Sequence, residues 1–149
     1  LSFYTGIYHE DNELKSKVVY LAKSCASYDK VAYNYYKGNA TSITAQLKLK
    51  NGTDLFVVMN RLYSFVEQHH VKGKCKQAFY TQIGFAMRIV LRTLNIVNAE
   101  EGKQLIQLMR ENRHLFRCLC KANNMKVRLG GMLMYVCLPL GLKVYKWVA

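Results

Sequence analysis

Apolar residues at Leu14, Val18, Leu21 and Ala22 recur every three or four positions, which predicts an amphipathic helix over residues 12 to 24. Ahead of it, residues 1 to 8 read as extended. Tyr28 to Tyr36 follows, with Val31, Tyr33, Tyr35 and Tyr36 in an order that suits a pleated surface, and reads as a strand. Lys37-Gly38-Asn39-Ala40-Thr41 then reads as a loop. From Thr53 the period changes, and helices are predicted over 53 to 70, 76 to 95, 99 to 122, and from Lys126 to the end with a break at Pro139. Asn51-Gly52, Gly73, Asn98 and Asn123-Asn124 punctuate them. The expected fold is mainly α with a small α+β amino-terminal portion: an aromatic-rich piece over residues 1–50 and a helical region over 51–149.

Charge sharpens this picture. Lys and Arg outnumber Asp and Glu by 22 to 9, and the net charge of +13 favours phosphates, nucleic acid or an anionic membrane surface. Over 99 to 122, Lys103, Arg110, Arg113, Arg117 and Lys121 fall on one helical side and Leu105, Leu108, Met109, Leu115, Phe116 and Leu119 on the other. Such a stripe serves as a solvated face or as a contact for anionic headgroups, and a break at Asn112-Arg113-His114 would divide it. Lys126 to Ala149 joins an apolar run to Lys143, Lys146 and Trp147, which suits a helix docked on its own core or an interfacial anchor. The longest apolar run, Gly130 to Leu142, is interrupted and is shorter than the roughly 20 residues of a membrane span. The tyrosines and basic residues lack the order of a known RNA-binding signature, so nucleic acid is not expected as a partner.

With 149 residues, 51% of them hydrophobic, the chain can bury one core, which excludes a disordered tail. Cys25, Cys75, Cys118, Cys120 and Cys137 form no regular framework and read as reduced core thiols. Cys118-x-Cys120 with His114 is too sparse for a zinc site, and no metal ligand set is expected.

The candidate chemistry lies at His9-Glu10-Asp11, where an apolar, Gly-containing approach delivers two adjacent carboxylates to a helix start. Asp11 or Asn12 could simply cap that helix, or a carboxylate there could serve as a general base. Phe3, Gly6, Ile7, His9-Glu10-Asp11 and Leu14, then Tyr33, Tyr35-Tyr36 and Ser42-Ile43 at matching intervals, resemble the carboxy-terminal half of the catalytic domain in family 2 glycosyltransferases, especially bacterial enzymes that build surface polysaccharides. The resemblance covers residues 1 to 44.

The resemblance implies an inverting transfer on a GT-A type α/β fold followed by a helical tail. It implies Asp11 as the catalytic base, Glu10 as a companion that positions the site, and His9, Lys37 and Ser42 on the substrate side. Lys37 stands where the family often has Arg, and offers phosphate a point charge without the bidentate fork. The family's nucleotide-binding units and its Asp-x-Asp metal motif are not found: Asp11, Asp29 and Asp54 are the only aspartates. The expectation is therefore a fragment, silent by itself, whose full-length enzyme would use Mg²⁺ or Mn²⁺, a nucleotide-diphosphate sugar and a glycan or lipid-linked acceptor. A cytoplasmic location, peripheral at the inner membrane face, goes with it.

Overall fold

The computed structural model describes residues 1–34 and 47–148, with side chains described as far as Val144. Among them the chain forms α1 (Glu10–Leu21), α2 (Leu49–Gln68), α3 (Gly73–Leu94), α4 (Ala99–Glu111), α5 (Arg113–Leu119), α6 (Met125–Val136) and α7 (Leu138–Val148). The hairpin of α2 and α3 is the centre. On α2, Leu55, Val58, Met59, Leu62, Phe65 and Val66 are buried; on α3, Phe79, Ile83, Met87, Val90 and Leu91 face them. This spacing gives each helix one apolar stripe, and each fully buried side chain of this size contributes about 1.5–3 kcal/mol. Leu105 and Met109 of α4 and Leu115, Phe116 and Leu119 of α5 close the core.

Polar termini set the helix limits. Asn98 opens α4 with a capping box: its side chain accepts from the Glu101 N–H at 3.0 Å, while the Glu101 carboxylate accepts from the Asn98 N–H at 3.2 Å. Asn124 caps α6 through the Val127 N–H. The predicted helix over 99 to 122 divides at Asn112, whose amide donates to the Leu108 carbonyl at 2.8 Å and whose carbonyl oxygen accepts from Asn60 at 2.7 Å. The Asn51-Gly52 pair, expected as punctuation, instead lies inside α2. Gly52 lets Leu105 approach closely, since a Cβ there would stand 2.8 Å from Leu105 Cδ2 and oblige that side chain to shift.

The expected α+β amino-terminal portion, and with it the GT-A type α/β fold, is overturned: no strand occurs among the described residues. Tyr28, Val31 and Tyr33 are exposed, and residues 28–34 are not assigned as strand. Strand propensity is realised only on a pleated surface with a buried face, and residues 28–34 are exposed. Tyr35 and Tyr36 lie outside the described residues. The thiols are also only partly core: Cys118 is buried and Cys120 half-buried, whereas Cys25, Cys75 and Cys137 are exposed. Among the described residues, no helix is long and apolar enough to cross a membrane.

Candidate functional site

The acidic turn is held by the helical body. Gly6, with φ of 85°, turns the chain, and its carbonyl accepts from Lys50 Nζ at 3.0 Å. The Tyr8 N–H donates to Asp54 Oδ2 at 2.9 Å, and Lys50 Nζ reaches the same oxygen at 2.7 Å while lying 5.0 Å from the Tyr8 ring centre. Asp54 is buried, so these donors satisfy a carboxylate that would otherwise be costly in the interior.

His9 occupies the left-handed region, φ 65°, at the N-cap position immediately before α1. That conformation costs a non-glycine residue about 1–2 kcal/mol, so the surroundings must hold it. Asn51, fully buried, does so. Its carbonyl oxygen accepts from the Lys48 N–H at 2.8 Å, which turns its amide nitrogen toward His9 Nε2 at 3.3 Å. In this arrangement Asn51 donates and the imidazole accepts. Burial lowers the His9 pKa from its ordinary value, outweighing the attraction of Asp11, Glu10 and Asp54.

Glu10 and Asp11 therefore fall within the first turn of α1, whose N-cap is His9, two residues ahead of Asp11 and three ahead of Asn12, so neither caps the helix. Glu10 is half-buried and Asp11 exposed. Carboxylates in a first helical turn also complement the partial positive charge of the free N–H groups, which is the structural reading of the same pair. One turn on, Glu13 is 4% exposed and accepts from Arg61 Nε at 2.7 Å and from Lys17. Burial pushes the Glu13 carboxyl upward, but the hydrogen bonds from Arg61 and Lys17 overcome it and leave it below its ordinary range. The Arg61 guanidinium also lies 4.4 Å from the Tyr4 ring centre.

Of the residues expected at the site, His9, Glu10 and Asp11 come together on this turn, while Lys37 and Ser42 lie outside the described residues. Shallow grooves against α4, one lined by Gln104, Gln107 and Arg110 and another by Asn95, Asn98 and Lys143, include none of the three. The supporting residues Asn51, Asp54 and Arg61 were not anticipated. The signal was present in Lys50 and Asp54, an opposite-charge pair four residues apart at the start of an apolar helix. Among the described residues no group of three His, Cys, Asp or Glu is placed to hold a metal ion. His114, set beside Cys118 and Cys120 in the sequence, donates instead to the Asn60 carbonyl oxygen at 2.9 Å.

The basic stripe divides as well. Lys103 and Arg110 stand on α4 and Arg113 and Arg117 on α5, all exposed, with Lys103 paired to Glu100 at 3.2 Å. Comparison with known family models, curated proteins and solved structures finds no match to this chain.

Proposed function

We propose that this chain contributes the acceptor-side base of an inverting sugar transfer, with Asp11 as that base. The observation that carries the reading is the presentation of Asp11 as an accessible carboxylate on a turn pinned by Asn51 and Asp54. Positioning of this kind is what general base catalysis requires of a carboxylate. The ordered residues from Phe3 to Leu14 that resemble family 2 glycosyltransferases give the turn its chemistry.

In the proposed reaction the Asp11 carboxylate takes the proton of an acceptor hydroxyl as that oxygen bonds to the anomeric carbon. The bond from that carbon to the nucleotide diphosphate breaks, and the diphosphate leaves with the electron pair. Attack from the face opposite the leaving group inverts the anomeric configuration. Glu10 positions the acceptor and His9 supplies local hydrogen bonding, while the resemblance alone assigns Lys37 to phosphate charge and Ser42 to the substrate side. Donor binding falls to a segment outside these 149 residues, and the acceptor is a glycan or lipid-linked sugar met on the cytoplasmic side of a membrane.

Transfer by this chain together with its donor-binding segment tests the reading. The product should carry inverted configuration at the new linkage, and Asp11→Asn should lower the rate at least about a hundredfold. Turnover that is unchanged in Asp11→Asn removes Asp11 from the mechanism.

A further inference from the structure

Helix α6 seats itself through one face. A Cβ on Gly131 would lie 2.4 Å from Leu119 Cβ and 3.0 Å from the Cys120 backbone nitrogen, and a Cβ on Gly84 would lie 2.2 Å from Val127 Cγ1. Val127, Gly131 and Met134, at successive spacings of four and three, thus point into the body. The opposite face is apolar too. Met125 is 62% exposed, Leu129 55%, Met132 43% and Val136 80%. These four fall within about 60° of one another at 3.6 residues per turn. Lys126 stands to one side of the stripe, and exposed Leu140, Lys143 and Val144 follow on α7.

The charge around this stripe is of one sign. From Asn112 to Ala149 the sequence carries seven Lys or Arg and no Asp or Glu. All nine carboxylate side chains lie before it. A second copy of this face would bring two cationic surfaces together, which opposes self-association. A nucleic acid would satisfy the charge and leave the methyl-rich stripe in water. A surface that offers both anionic headgroups and an apolar layer satisfies both.

We infer that the outer face of α6, continued by α7, is a docking surface for an anionic lipid bilayer, with Leu129 and Met132 entering the interface and Lys126 and Lys143 meeting headgroup phosphates. At 12 residues α6 is about 18 Å long by its rise, too short to span, so it lies in the membrane plane. This inference rests on the stripe and its charge and does not depend on the sugar-transfer reading.

Co-sedimentation with vesicles tests it. The chain should bind phosphatidylcholine vesicles containing roughly 30% phosphatidylglycerol at least about tenfold more tightly than phosphatidylcholine alone, and binding should weaken as salt rises. Leu129→Ser with Met132→Ser should reduce that binding about tenfold or more while leaving the helical circular dichroism unchanged, because both sites are exposed. Lys126→Gln with Lys143→Gln should weaken binding and flatten its salt dependence. Val19→Ser, on the exposed side of α1, should leave it unchanged. Equal binding to both vesicle types, no binding to either, or full binding by the Leu129/Met132 variant overturns the inference. Self-association without lipid that this variant abolishes assigns the stripe to a second copy and overturns it as well. Retention on an acidic protein or nucleic acid with no vesicle binding does the same.

Discussion

Asn51 donates its side-chain amide to His9 Nε2 across 3.3 Å and 42 residues of sequence, and thereby joins the start of α1 to the start of α2. Because the Asn51 carbonyl oxygen is taken by the Lys48 N–H, the amide cannot turn over to receive a proton from His9. A protonated imidazole would place an N–H against an N–H.

This relationship gives the fold a pH dependence. Burial lowers the pKa of His9, against the attraction of Asp11, Glu10 and Asp54, and burial lowers that of His114 as well. The unfolded chain therefore binds more protons than the folded one between the folded and unfolded values. The stabilising contribution is complete above the unfolded value and is lost as pH falls from there through the folded value. The urea midpoint should drop between about pH 7 and pH 5. His9→Asn keeps an acceptor and a residue that tolerates the left-handed region, and should narrow that drop. A drop of equal size in the variant contradicts the assignment. Glu13, whose pKa is also lowered, adds its own loss only at more acidic pH.

Arg61 is the clasp farther along α1. Removing it in Arg61→Ala leaves the Glu13 carboxylate buried with Lys17 as its remaining cation. A fully buried pair so broken costs about 3–5 kcal/mol, but Arg61 is partly exposed and Lys17 stays, so a loss of about 1–2 kcal/mol is expected. Denaturant unfolding measures it, and a change below about 0.5 kcal/mol would show that Arg61 stands idle.

Gly131→Ala sets helix propensity against packing. Alanine is favoured in a helix interior over glycine by about 1 kcal/mol. The added methyl, however, would meet Leu119 Cβ and two backbone atoms that cannot swing aside. A net loss of about 1–3 kcal/mol should result, read from the urea midpoint. Stabilisation would mean that α5 and α6 are farther apart than described.

Much of the helical half was legible from its residues. The stripes on α2 and α3 follow apolar spacing, and Asn98 and Asn124 cap the helices that they precede. Asn51-Gly52 misled because the same dipeptide that favours a turn also serves a helix start, where Asn51 accepts from Lys48 and Gly52 admits Leu105. Tyr28 to Tyr33 misled because strand propensity depends on a partner that a linear pattern does not reveal. At the candidate site His9, Glu10 and Asp11 were visible as a motif. The residues that hold them, Asn51, Asp54 and Arg61, act from 42 to 48 positions away, and only Asp54, paired with Lys50 four residues before it, carries a local signal.

The proposed base is tested most directly by comparing Asp11→Asn with Glu10→Gln in sugar transfer, with unfolding midpoints recorded on the same samples. Asp11→Asn should lose at least about a hundredfold in rate and Glu10→Gln about tenfold, both with near-unchanged midpoints. Full turnover in Asp11→Asn, or a larger loss in Glu10→Gln, would contradict the account.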